Sequence, residues 1–465
     1  MSADRTAQAG SAPGRGYLGP MADGLETRVQ QTGRELAAAM PSMARHPLKA
    51  LDDRALQLAS EDAGLRAALF RFVDVAPACR SLDDLARHLT SFLTQVDDRP
   101  PPLEAALRVA DTRAGRAALG AAAAAGVKHI AHRFIVGETP REISGLLRSL
   151  WRRGVATTVD LLGEATVTTG EADRYAERCR DALRELAGVY ARLPARPILE
   201  SDGVGSVPRA NLSVKVSALT PLLRPDAPEL GERDALDRLR GLAALADELG
   251  AHLHIDMESL DSREAVLAVV LDLLSEPSFE AGPSAGVVLQ AYLRDSLEQL
   301  ERILEWAGRH PRSLPLAVRL VKGAYWDQEV IEAHRHGWPT PVFENKSDCD
   351  RNFETLTRRL LDARPAVRVA VASHNLRSVA HAIAYNRMTG GNDRDLELQV
   401  LRGLGDELQD ALAASGLRVR TYCPVGDLVS GMAYLVRRLL ENTANESFLH
   451  ERARGAEVEE LLAAP

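Results

Sequence analysis

Eight short apolar runs alternate with helix-period stretches between residues 155 and 425, and that alternation restricts the fold more than any other feature of the chain. The runs are VATTVDLLG near 155, NLSVKVSAL near 211, HLHIDME near 252, GVVLQAYL near 286, LAVRLVKGA near 316, VRVAVASHN near 367, LELQVLRG near 396 and LRVRTYCPV near 417. A strand followed by a helix and then by another strand reads as a parallel βα unit, and eight such units close as a (β/α)8 barrel. The expected class is therefore α/β, a TIM-like barrel over residues 151–450. An open doubly wound sheet competes with it, but no GxGxxG follows the first run to mark one.

The chain upstream has a different texture. From Leu25 to Leu150 the pattern is helical almost throughout, as in LDDLARHLTSFL at 82–93, so residues 23–150 read as an all-helical region that packs and caps. Residues 1–22 are rich in Gly, Ala and Ser without periodicity and read as disordered; residues 451–465 form a tail. Hydrophobic residues make up 45% of the 465 and aromatics only 4%, which suits helices rich in Ala and Leu better than an all-β architecture.

A formal charge of -8, with Arg scattered beside Asp and Glu, gives no attraction to nucleic acid. The cysteines Cys79, Cys179, Cys349 and Cys423 form no CxxC pair and no metal-type spacing with His; they read as reduced, incidental thiols, and no metal is expected. No stretch reaches the ~20 apolar residues of a membrane span, and no secretory signal opens the chain. A cytoplasmic protein is expected, with peripheral contact at the inner face of a membrane left open.

Charge inside the apolar runs points to chemistry. In VRLVKGAYWDQ, residues 318–328, Arg319 and Lys322 sit near the end of a strand that should be almost purely apolar if buried on both faces. Either a neighbouring strand supplies an ion pair, or an anionic ligand meets them. Polar residues recur at nearly every strand end: Asp160 and Glu164, Lys215, Asp256 and Glu258, Gln290, Arg319 with Lys322 and Tyr325, Ser373 and His374, and Tyr422. That is where barrel enzymes place their sites. Arg437 and Arg438, in DLVSGMAYLVRRLLENTAN, read either as a solvated helix face or as a fork for a carboxylate, the helix being led over the barrel mouth by the turn at 422–426. A Schiff-base aldolase with Lys215 or Lys322 as nucleophile is a competing enzyme reading; an inactive scaffold is a non-enzyme one.

An ordered series of motifs resembles the proline dehydrogenase domain of the bacterial proline utilization A flavoproteins. It comprises DLLGEA at 160–165, VKVSALTP at 214–221, HIDMES at 254–259, VVLQAYLRDS at 287–296, VRLVKGAYWDQE at 318–329, ASHN at 372–375, YCPVGDL at 422–428 and LVRRLLENTANES at 435–447. The resemblance implies non-covalent FAD, oxidation of L-proline to Δ1-pyrroline-5-carboxylate, and a membrane quinone as electron acceptor. It implies that Asp256 and Arg319 are catalytic. Lys215, Tyr325, Leu404, Tyr422, Arg437 and Arg438 would bind the substrate, with Glu164 and Asp256 holding the cations in place. Met257, Gln290, Arg319, Lys322, Gly323, Ala324, Trp326, Ser373, His374 and Glu441 would bind the cofactor. Leu404 and Ser373 stand where Met and Thr are common in the family. Relatives carry an aldehyde dehydrogenase module downstream, for which no motif occurs here. A one-activity protein, a split version beside a separate pyrroline-5-carboxylate/glutamate semialdehyde dehydrogenase, and a fragment all stay open.

Overall fold

The computed structural model describes residues 19–41, 63–97, 112–163, 166–427 and 456–465, together with 104, 105, 107, 108, 110 and 431. Glu164, Arg437, Arg438 and Glu441, and the stretch expected as a closing helix with the last three, lie outside the described residues.

All eight apolar runs are strands: β1 Val155–Leu161, β2 Asn211–Val214, β3 His252–Ile255, β4 Ser284–Gln290, β5 Leu316–Val321, β6 Val367–Ala372, β7 Leu396–Leu401 and β8 Val419–Val425. Every neighbouring pair is parallel, and β1 closes on β8 in register from Val155↔Val419 to Leu161↔Val425. The fold is a (β/α)8 barrel preceded by helices. Each strand is shorter than its run, β2 most of all. β2 stops at Val214 because Val216–Leu219 turns into one helical turn, which leaves Lys215 at the junction.

The purely apolar expectation for the strands fails, and side-chain alternation explains how. His252 and His254, Glu397 and Gln399, and Arg420 and Tyr422 each lie two residues apart, on the same face of their strand. Leu253, Leu398 and Cys423 occupy the other face, in the continuous core shared with the outer helices. The polar face is cross-linked: Arg420 grips Glu397 through two hydrogen bonds of 2.8 and 3.0 Å, and Gln399 donates to Glu397 at 2.7 Å. At the N-terminal end of the strands, the Asp202 carboxylate accepts from Arg368 Nη2 and from Arg418 Nη1, each at 3.3 Å. Charge is tolerated in the barrel because it is paired.

Around the barrel, the outer helices begin at recognisable caps. Helix Thr169–Tyr190 starts with a capping box in which Thr168 accepts from the Glu171 N–H and Glu171 accepts from the Thr168 N–H. Upstream, helices Ala63–Val75, Leu82–Leu93 and Arg113–Phe134 share a separate small core of Leu65, Phe72, Leu89, Leu93 and Val127. Helix Gly19–Ala39 begins within the stretch read as disordered, and packs on the barrel helix Leu376–Met388 through Val29, Ala380 and Ala384.

Candidate active site

Ser213 and Lys215 are two residues apart at the end of β2, so both reach the barrel's C-terminal mouth. Asp256 follows β3 directly, and Arg319 and Tyr422 come from the inward faces of β5 and β8. These elements meet on Asp256. Its Oδ1 accepts from Arg319 Nη1 at 2.9 Å and from Ser213 Oγ at 3.0 Å. Its Oδ2 accepts from the Tyr422 hydroxyl at 2.5 Å and lies 3.6 Å from Lys215 Nζ. Arg319 also donates to Ser213 at 3.3 Å, and its guanidinium carbon stands 5.3 Å from the Tyr422 ring centroid. One nitrogen of Arg319 is thus ion-paired, but with the acid after β3, two strands away, and not with a neighbouring strand.

Lys215 has a second acid. Its ammonium donates to Asp160 of β1, and the β1–β2 register, Asp160↔Ser213, is what brings that carboxylate beside the end of β2. The resemblance implies Glu164 and Asp256 as the acids steadying these cations; the structure adds Asp160 beside Asp256. Burial opposes the charge on Lys215, but Asp160 and Asp256 outweigh it and hold the ammonium pKa above its ordinary value. Burial, then the same two carboxylates, push the Tyr422 phenol well up, so it remains a hydrogen-bond donor. Ser213 and Tyr175, whose hydroxyl accepts from the Lys215 N–H at 3.3 Å, were also missed. The signal for Ser213 was its period-two spacing from Lys215; Tyr175 sits on an outer helix and gave none.

Beside this cluster lies a set of buried polar atoms that find no hydrogen-bond partner among the described residues: Arg319 Nε and Nη2, and Gln290 Oε1 at the end of β4. The Gln290 amide donates to the Glu258 carbonyl at 3.0 Å, which fixes the side chain and leaves the oxygen free. Met257 is buried in the same segment. Buried donors and acceptors are normally satisfied, so a group of them at a barrel mouth marks where a polar ligand belongs.

Other expected residues make contacts of their own. Lys322 donates to Asp350, which Lys346 also contacts at 3.2 Å. Gly323 has φ +136°, and a Cβ there would lie 2.3 Å from the Tyr292 ring, so this turn requires glycine. Ala324 is exposed in that turn, Tyr325 stands at the start of helix Trp326–His336, and half-exposed Trp326 donates to the Phe343 carbonyl at 2.9 Å. After β6, Ser373 Oγ accepts from the Asn375 N–H at 3.1 Å, and His374 Nε2 accepts from the Leu401 N–H at 2.8 Å. Leu404 is buried in the turn after β7.

Residues 145–451 match the family model described as proline dehydrogenase. The chain belongs to the proline dehydrogenase family. Residues 26–134 match the proline utilization A N-terminal domain, so the helical region ahead of this proline dehydrogenase barrel is of the proline utilization A kind. The bifunctional protein PutA of Klebsiella aerogenes is 30% identical over 342 residues, 71% of this chain and 25% of that protein. Proline dehydrogenase 1 of Bacillus subtilis subsp. natto is 28% identical over 331 residues, 70% of this chain and 92% of that protein. In structure, proline utilization A from Bdellovibrio bacteriovorus inactivated by N-propargylglycine superposes with a TM-score of 0.87 at 34% identity, over 95% of this chain and 44% of that one. The chain spans about a quarter of the length of the curated bifunctional relatives it matches.

Proposed function

We propose that this chain binds FAD without a covalent link and oxidises L-proline to Δ1-pyrroline-5-carboxylate, with a membrane quinone as final electron acceptor. The observation that carries the reading is the unsatisfied buried set, Arg319 Nε and Nη2 with Gln290 Oε1. The residues fit the cofactor: an isoalloxazine edge offers carbonyl and ring-nitrogen acceptors to the guanidinium and an N–H to the amide oxygen. Bound FAD would supply the hydride acceptor for a C–N oxidation.

The chain's own residues would do the rest. Proline must lose a hydride from C5 and a proton from its amine, so its ring has to lie in one fixed pose. Lys215 and Arg319 are matched by Asp160 and Asp256, so the cluster is close to neutral by formal count. Further positive charge is therefore needed to hold a substrate carboxylate. Arg437 and Arg438 would supply it, as the family resemblance implies, with a planar fork of donors. Tyr422, Tyr325 and Leu404 would bound the ring. Asp256 would act by fixing Arg319 and Tyr422, and Arg319 would favour electron gain beside it by charge complementarity.

The aldolase reading is weakened by Lys215, which its two carboxylates keep protonated and therefore non-nucleophilic. A separate dehydrogenase acting on the product's open-chain aldehyde would be the natural partner. The deciding experiment is an absorbance spectrum of the purified protein before and after anaerobic L-proline. A flavin spectrum that bleaches supports the proposal; a folded, colourless protein that takes up no added FAD overturns it. Arg319→Met should slow bleaching at saturating proline more than it weakens proline binding.

A further inference from the structure

We propose that Cys79, Asp84 and His88 form a divalent-metal site of the zinc class in the N-terminal helical region, with one coordination position left to water. All three residues lie upstream of the barrel. One ligand atom from each of the three residues lies within 4.8 Å of the other two, and His88 Nε2 is 3.9 Å from Asp84 Oδ1. Thiolate, imidazole and carboxylate are the donors zinc takes, and bonds of about 2.0–2.3 Å place neighbouring ligand atoms roughly 3.3–3.6 Å apart. Closing the present spacing asks for a shift of about 1 Å in side chains that are only partly buried.

The local backbone holds the donors in place. Cys79 ends the turn Ala76–Ala78, with its N–H donating to the Ala76 carbonyl at 3.2 Å, and Ser81 caps helix Leu82–Leu93 by accepting from the Asp84 N–H at 3.1 Å. Asp84 Oδ2 accepts from the Arg80 N–H at 3.1 Å, which orients the carboxylate and leaves Oδ1 facing His88, one helical turn on. Such outer hydrogen bonds are what position metal ligands. The sulfur's own contact, to the Val75 carbonyl at 3.6 Å, is weak. Arg87 competes for Asp84 Oδ1 at 3.1 Å, but Asp83 offers it a second acid at 3.3 Å, so an ion can displace it without leaving it unpaired. The expectation of no metal-type spacing arose because only Cys and His were counted; the third donor here is a carboxylate.

Cobalt(II) tests the site on the full-length protein, after chelator treatment and in a non-thiol reductant. The expected result is a thiolate-to-cobalt charge-transfer band with visible bands of tetrahedral type, removed by zinc. Cys79→Ser should abolish the charge-transfer band, and His88→Ala should weaken cobalt binding about tenfold or more. Cys349→Ser, at a thiol that burial pushes up to about 11, should leave the band unchanged. A cobalt spectrum without the thiolate band, or a band that survives Cys79→Ser, overturns the proposal.

Discussion

Asp256 organises the site at the level of single residues because one carboxylate receives Arg319, Ser213 and Tyr422, with Lys215 alongside. Hydrogen bonds to charged groups are worth about 1.5–3 kcal/mol, so losing the charge while keeping the shape loosens Arg319 and Tyr422 together. Asp256→Asn is expected to lower kcat/KM for proline by about 10- to 100-fold, and steady-state kinetics beside the flavin content of the variant measure it. Unchanged kinetics would remove Asp256 from the positioning role. Arg319 was legible in the sequence because a guanidinium inside LAVRLV has no apolar explanation. The pairing of Lys215 with Asp160 was not, since only the β1–β2 register, Asp160↔Ser213, brings that carboxylate beside the end of β2.

At the scale of elements, all eight strands were legible because each is a short apolar run between helical stretches, and parallel closure follows from that order. What the runs concealed was the second face of each strand, where Glu397 and Arg420 pair across two strands and His254 meets His252 of its own strand in a polar interior. Helix contacts were equally hidden, and Gly120 is the clearest case. In an exposed helix, Gly to Ala gains about 1 kcal/mol from backbone entropy alone. Here a Cβ on Gly120 would lie 2.0 Å from the Leu82 carbonyl oxygen, a backbone atom at the start of the neighbouring helix. Overpacking of that kind costs about 1–3 kcal/mol, so Gly120→Ala should lower stability despite its helix propensity. Thermal unfolding of the variant decides the sign; a raised midpoint would mean that the two helices separate without cost.

Across the whole molecule, buried ion pairs between distant parts of the chain tie the barrel together, and they set its response to acid. Arg377 joins Glu26 of the first helix to Glu354 of the barrel, and donates to the Leu462 carbonyl near the other end of the chain at 2.7 Å. No local pattern could show a contact between residues 351 apart. Its hydrogen bond to Glu26 lowers that carboxyl's pKa. Inside the barrel, burial would raise the pKa of Glu397, but Arg420 and Arg418 override it and hold the carboxyl far below its usual range. A carboxylate depressed in the folded state contributes stability that is fully present above its unfolded pKa of about 4.3 and is lost as pH falls toward the folded value. Stability should therefore decline below about pH 4, as protons bind the unfolded chain first. Glu397→Gln separates this group from the rest. At neutral pH it leaves the buried Arg420 charge uncompensated and should cost about 3 kcal/mol or more. Between pH 4 and 3 its unfolding free energy should fall less steeply than that of the parent, because one of the titrating carboxyls is gone. Urea unfolding at pH 7, 4 and 3 gives both quantities, and parallel pH slopes for the two proteins would show that the acid response originates elsewhere.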